Sequence, residues 1–298
     1  MDFSLSLVLP QLFNGLVWGI VLGLLAIGLS IIFGMLNVIN FCHGAMYAVG
    51  AYVAYSFIFV LTHFLGSRFD NFWIALVLAP VVVGAMGLGI EFFLLRPLSR
   101  LGYTPQVLVT FGLSLILQEL IIIIWGSMPK SFPTPNLLKG VVNLGFMVYP
   151  KYRLFLLILT LLVILGIWIF LEKSRLGGII RAGAEDAEMV SLVGINIQRL
   201  FTLIFGFGSA MAGFAGVLAG PVLANLQPDL GNSVVLACFV VVVLGGLGSF
   251  SGAVVGSIVV GIIKAVATMV WPPAATVIMF VLMALILVVR PQGLLGKR

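Results

Sequence analysis

The chain has 298 residues, of which 62% are hydrophobic and 8% charged; a soluble domain carries about 25% charged residues, so 8% could not coat a water-facing surface. Its two cysteines, Cys42 and Cys238, both lie in apolar runs, and with only two histidines this excludes a disulfide framework and leaves metal chemistry poorly supplied, so neither a metal site nor a cofactor is expected. The net charge of +6 is expected to come from the basic bias of cytoplasmic loops rather than from nucleic-acid binding.

The first apolar run, about Pro10–Gly34, is long enough to cross the hydrocarbon, which takes roughly 20 residues. No Lys or Arg precedes it; the chain opens Met1-Asp2-Phe3-Ser4. A removable secretory signal has a basic start and a shorter apolar segment, so this run is expected to stay as a span. Directly after it, Asn37, Asn40 and His43 recur at three-residue spacing between Gly34 and Gly44. On a helix they would share a face. Polar groups at membrane depth face the bundle or a water-filled cavity. Two roles stay open. One is helix-to-helix hydrogen bonding or a hinge; the other is a broken helix whose freed backbone lines a pathway, with the two glycines permitting the break. No catalytic residue is assigned, because His43 has no carboxylate close in sequence and no Gly-x-Ser-x-Gly motif is present.

Eight further apolar stretches follow: Gly44–Thr62, Phe72–Leu95, Thr104–Trp125, Arg153–Leu171, Phe201–Leu223, Gly231–Leu247, Ser251–Trp271 and Ala274–Val289. Adjacent ones can be paired half-spans, so eight or nine spans are predicted. All must be helical, since hydrocarbon offers the backbone no hydrogen-bonding partner. The chain therefore reads as all-α, a single polytopic transmembrane bundle over residues 1–298. Glu119 and Lys264 fall inside spans at similar depth. Intramembrane charges tend to pair, so an ion pair is expected, or a polar cluster shared with Gln118; the alternative is that Lys264 snorkels to the interface.

Two connections are long. The loop 126–152 carries Pro129, Pro133, Pro135 and Pro150 and is either an inert connection or a platform for an external partner. Placing it opposite the loops Arg96–Tyr103, Glu172–Leu200 and Arg290–Arg298 puts nine of the fifteen basic residues on one side and five on the other. The positive-inside rule makes the nine-residue side cytoplasmic, with the N-terminus outside and the C-terminus inside. Small residues recur at four-residue spacing in three stripes: Gly15, Gly19 and Gly23; Gly208, Ala212, Gly216 and Gly220; Gly248, Gly252 and Gly256. Such stripes let helix backbones approach closely, within one subunit or at a dimer face.

Inside the cytoplasmic loop 172–200, Arg181–Ile195 reads as a short amphipathic helix. Met189, Leu192 and Val193 form an apolar stripe at i, i+3, i+4. Arg181 stands four residues before Glu185, within pairing distance, and Gly194 is a C-terminal cap. So short a helix is marginal in water and needs a surface. Its own bundle and the bilayer are candidates, but Glu185, Asp186 and Glu188 oppose docking on anionic lipid. A protein groove with basic residues fits better.

The run Arg181–Ile197, followed by the Gly/Ala-rich Ala212–Leu218, resembles the cytoplasmic loop of ABC-importer permeases for branched-chain amino acids, of the LivH type. Ile32–Gly44 and Leu244–Ser249 followed by Gly252 carry the same resemblance, which runs from end to end of the chain. One departure is Cys42, where relatives often have Ala. The resemblance implies a type II-like importer permease in the bacterial inner membrane. It implies a second homologous permease, two ABC ATP-binding subunits, a periplasmic substrate-binding protein and an amino-acid substrate. The segment Arg181–Ile195 would then be the coupling helix, with Arg181, Glu185, Asp186, Glu188, Met189 and Leu192 meeting the ATPase and Gly194 closing the helix. No GxxxxGK[ST] phosphate loop is present, as expected for a chain that is not itself an enzyme. The competing functions are an ion-coupled secondary transporter, which would bury more ionisable groups, and an ABC permease for urea or short amides. An intramembrane enzyme lacks a nucleophile–base pair or a metal-ligand cluster.

Overall fold

The computed structural model describes residues 5–66, 70–145 and 147–296. Twelve α-helices dominate. The spans are α1 (Leu5–Leu36), α2 (Cys42–Leu65), α3 (Phe72–Ile90), which continues through a π turn (Glu91–Leu95) into the single turn α4 (Arg96–Leu98), and α5 (Tyr103–Trp125). After α6 (Lys151–Lys173) come the short α7 (Arg175–Glu185) and α8 (Ala187–Leu192), then α9 (Ile197–Leu223), α10 (Leu230–Gly245), α11 (Phe250–Val270) and α12 (Ala275–Val289). All nine predicted apolar stretches are therefore helical. Eight helices are long and apolar enough to cross a membrane, and α10 is the shorter ninth. Its 16 residues reach about 24 Å at 1.5 Å per residue.

The bundle is built around α1, whose apolar window is 83% buried, against 22% for α5 and 11% for α12. Glycine makes that possible. A methyl added at Gly19 would stand 2.7 Å from the Ser257 carbonyl oxygen, and one at Gly15 would stand 2.7 Å from that of Gly261. The first stripe is thus the seam between α1 and α11. The second runs along α9: Gly208 approaches Gly28 of α1, and Gly220 accepts the ring of Phe132. The third packs α11 on α10 at Gly256 and Val241, with Gly248 against Gly34. All three stripes serve contacts within the subunit. Between α10 and α11 the chain reverses through Gly246 (φ +108°) and Gly248 (φ +78°), a left-handed backbone that side chains with a Cβ rarely adopt.

The same contacts define two ends. At one, Gly34 and Met35 of α1 lie beside Gly248 and α7. At the other, Asn14 accepts hydrogen bonds from Tyr149 (3.0 Å) and Arg153. The loop 126–150 folds over this second end. Its strands β1 (Lys130–Ser131), β2 (Val141–Asn143) and β3 (Val148–Pro150) form a β2–β3 hairpin and an antiparallel pair between β1 and β4 (Asn225–Leu226), which joins α9 to α10. Phe132 is 3% exposed and its amide donates to Ala224 O at 2.8 Å. The loop is a built cap with its own ladder.

Gly19→Ala is expected to destabilise by about 1–3 kcal/mol through overpacking against α11. Gly166→Ala, where nothing lies within 4 Å of the added methyl, is expected to be neutral or to stabilise by about 0.5–1 kcal/mol, since glycine inside a helix is unfavourable. Melting temperatures of the two purified variants in one detergent check the opposite signs.

Candidate functional site

Where α1 ends, the chain leaves helical geometry for five residues. Asn37 adopts φ +52°, a left-handed conformation for which Asn is enriched among residues with a Cβ. Its amide closes the last turn on Phe33 O at 2.9 Å. The segment then folds back beside α1. His43, at the start of α2, donates from Nε2 to Leu25 O at 3.0 Å. Leu25 is eleven residues from Leu36, or about 16 Å along the helix. Helix α2 therefore begins in the interior of the bundle.

Breaking a helix at membrane depth frees backbone groups that need partners. Thr110 of α5 stands beside them: its hydroxyl accepts from the Phe41 N–H (3.4 Å), and its one proton lies between Ile39 O (3.2 Å) and Val107 O of its own helix (3.0 Å). The amide of His43 closes on Asn40 O at 3.2 Å. The side-chain amide of Asn40 is fully buried, and neither of its polar atoms has a partner among the described residues. Asn37 is exposed. The three-residue spacing of Asn37, Asn40 and His43 thus yields no helical face, because the segment between them is not helical. Gly34 and Gly44 flank the break but act as points of close approach. A methyl at Gly34 would stand 3.3 Å from Gly248 Cα, and one at Gly44 would stand 2.6 Å from Val235 Cβ.

At the α7–α8 end, the single helix expected over Arg181–Ile195 is two helices. Asp186 takes φ −152° and its carboxylate accepts from the Met189 N–H at 2.9 Å. An Asp that caps the following helix ends the preceding one. Ser174 caps α7 the same way, accepting from the Gly177 N–H at 2.9 Å. Gly194, at φ +87°, closes α8 with its amide on Ser191 O at 3.0 Å. Arg181, expected within pairing distance of Glu185, binds Glu172 (3.6 Å) and the Leu171 carbonyl, tying α7 to the end of α6. Gly183 is buried against Met35 of α1. Helix α8 buries only Val190, while Met189, Leu192 and Val193 are 61%, 77% and 80% exposed. The predicted apolar stripe exists, and no described residue covers it.

The expected Glu119–Lys264 pair is not formed. Lys264 sits with Nζ 3.6 Å from the ring centroid of Trp18 on α1. Glu119 is exposed on α5. The two residues share a depth, but α5 packs on α2 whereas α11 packs on α1, α10 and α12. Beside Glu119, Gln118 accepts from the Asn232 amide at 2.8 Å, joining α5 to α10. Glu119 and Asn232, on either side of this bond, are both exposed. Near the α7–α8 end, Thr202 of α9 donates to the buried Glu91 and accepts from Arg96 (2.5 Å), which also pairs with Glu91 at 3.6 Å. This cluster bolts the π turn to α9. Thr110 and Thr202 carry no signal in the sequence, since an isolated Thr in an apolar run looks incidental; Gln118 is polar as expected, but its partner is Asn232 and not Lys264.

A family model described as the permease component of branched-chain amino acid transport systems matches residues 11–289. The chain belongs to this permease family. It is 33% identical to the high-affinity branched-chain amino acid transport system permease protein BraD of Pseudomonas aeruginosa, over 97% of this chain and 96% of that protein. It is 34% identical to the permease protein LivH of the corresponding Escherichia coli system, again over 97% and 96%. A second permease protein of that system, LivM, matches at 27% over 91% of this chain and 67% of its own length. No solved structure matches the chain. It is a multi-pass membrane protein, with eight helices among the described residues long and apolar enough to cross a membrane.

Thr110→Val in this permease removes the hydroxyl from the break while keeping its shape. The expected loss is about 1–3 kcal/mol, the cost of stranding buried backbone groups. Thr110→Ser should recover most of it. Melting temperature and solute uptake by the two variants check this.

Proposed function

We propose that this chain is one of two permease subunits of an ATP-driven importer for branched-chain aliphatic amino acids. The α7–α8 end would be cytoplasmic and the β1–β4 cap external, with the N-terminus outside and the C-terminus inside the bacterial inner membrane. ATP hydrolysis would belong to two separate ATP-binding subunits seated under α8, and a periplasmic binding protein would deliver the solute at the cap. The observation that carries this reading is the uncovered stripe of Met189, Leu192 and Val193. A helix of 6 residues that buries a single side chain on its own bundle is not held by intrinsic propensity. An apolar stripe ringed by Asp186 and Glu188 at the tip of a membrane protein fits a partner's groove better than anionic headgroups.

The second permease would cover the face of α5 and α10 that presents Glu119 and Asn232. A carboxylate exposed at this depth is costly against lipid and tolerable against a water-lined pathway. There Glu119 would meet the ammonium of a passing amino acid, while the neighbouring apolar surface of Phe111, Leu115 and Leu236 suits an aliphatic side chain. The similarity of the chain to both LivH and LivM, two permease proteins of one system, supports a homologous rather than identical partner. Asn37, exposed at the break, is the pathway candidate of the first motif; Asn40 and His43 are hinge candidates.

ATPase activity of the reconstituted assembly, stimulated by the loaded binding protein, tests the substrate. Stimulation by Leu, Ile and Val is expected; stimulation by urea or short amides alone would overturn the assignment. The coupling role is tested by Met189→Glu with Leu192→Glu. Both positions are exposed, so stability should change by less than about 0.5 kcal/mol each, while co-purification of the ATPase and uptake are lost. Asp186→Asn keeps an equally good cap and isolates the effect of the charge; retention of the ATPase by the double Glu variant would remove α8 from the interface.

A further inference from the structure

A cavity of about 390 Å³ lies inside the subunit, between α1, α6, α9, α10 and α11, toward the capped end. That is within the size range of small-ligand sites. It is separate from the α5 face just described, since no residue of α5 lines it. Its polar part holds two cations beside the neutral Gln11, Asn14, Ser233 and, from α2, Tyr47. Arg153 enters from the start of α6, held by Asn14, and Lys264 enters from α11 over the Trp18 ring. Its apolar part continues along α1 past Val21 and Leu22 to Leu25, faced by Leu156. From Asn14 to Leu25 this is eleven residues, or about 16 Å of lining. The exposed Leu223 and Ser233 stand at its mouth.

No Asp or Glu is among the described residues that line the cavity. Among the described residues no carboxylate pairs with Lys264, whose ammonium rests on the Trp18 ring, and a cation inside a span calls for a counter-charge. An amino acid would bring its own ammonium beside two cations with no carboxylate to receive it. A ligand with an anionic head and an aliphatic chain leaves nothing unpaired: the head neutralises Lys264 and Arg153, and the chain fills the apolar end. We propose that this cavity binds a single-headed anionic amphiphile, its head on Lys264 and Arg153 and its chain along α1. Free fatty acid and anionic phospholipid share this chemistry.

Photolabelling of the purified full-length permease in nanodiscs tests it with three diazirine probes: palmitic acid, phosphatidylglycerol with a diazirine acyl chain, and palmityl alcohol. Peptides are then mapped by mass spectrometry. At least one anionic probe should label the Val17–Leu25 stretch, and its unlabelled counterpart should displace it; which probe does so identifies the source. Lys264→Met keeps the stem over Trp18 and removes the charge. It should lower anionic labelling roughly tenfold, the weight of a charge-assisted hydrogen bond, while alcohol labelling stays within about twofold. Lys264→Arg should restore the anionic signal. If Lys264→Met does not elute as a single species, Lys264→Gln is read in its place. The proposal falls if neither anionic probe labels the stretch or if the uncharged variants label like the parent. It also falls if excess leucine displaces the probes, which would give the cavity to the transported solute. None of these readouts requires the ATPase, so they stand or fall apart from the importer reading.

Discussion

Apolar side chains surrounded by lipid gain little by turning toward one another instead. What holds this bundle together is the distance at which two backbones can lie. Along the seam of α1 and α11, a single added methyl would come within 2.7 Å of a carbonyl oxygen. At such spacing the dispersion contacts of many main-chain atoms add up, and any side chain at those positions would pry the helices apart. Helix α1 runs through the middle because its small residues let α9 and α11 approach it at once. The same closeness leaves little slack, so the irregular backbone at Asn37–Phe41 needs a partner for each freed group.

The sequence shows depth well and direction poorly. Hydropathy alone places all nine apolar helices, because the hydrocarbon imposes their length and forbids alternatives. Four-residue glycine spacing marks the seams, since a close approach needs small residues on one face. It does not say which helices meet there, and the stripes prove to be intramolecular. Glu119 and Lys264 show the limit. Their shared depth is legible, but the angle each takes around the bundle depends on tertiary packing, and they face different neighbours. Asp186 shows another. As one acid among three it looks like part of a charged helix face, yet its short side chain competes for the Met189 amide and divides the helix. The β1–β4 pairing between residues far apart in the chain has no local signature at all.

The partners of the short helices give the bundle a mechanical order. Helix α7 is fixed twice, through Arg181 to the end of α6 and through Gly183 to Met35. Met35 lies two residues before Asn37, where α1 gives way to the folded-back segment. Helix α8 is fixed by little more than Val190. A force applied to α8 would therefore be passed on by α7, and α7 bears on the one place where the central helix is interrupted. On the far side of the interruption, Thr110 ties the segment to α5, the helix that carries Glu119. In the proposed cycle, displacement at the tip would be taken up where the ladder of intrahelical hydrogen bonds is already open. That arrangement gives the break a use consistent with its position: in the proposed cycle, it is where movement at the ATPase end becomes movement of the face that the second permease would share.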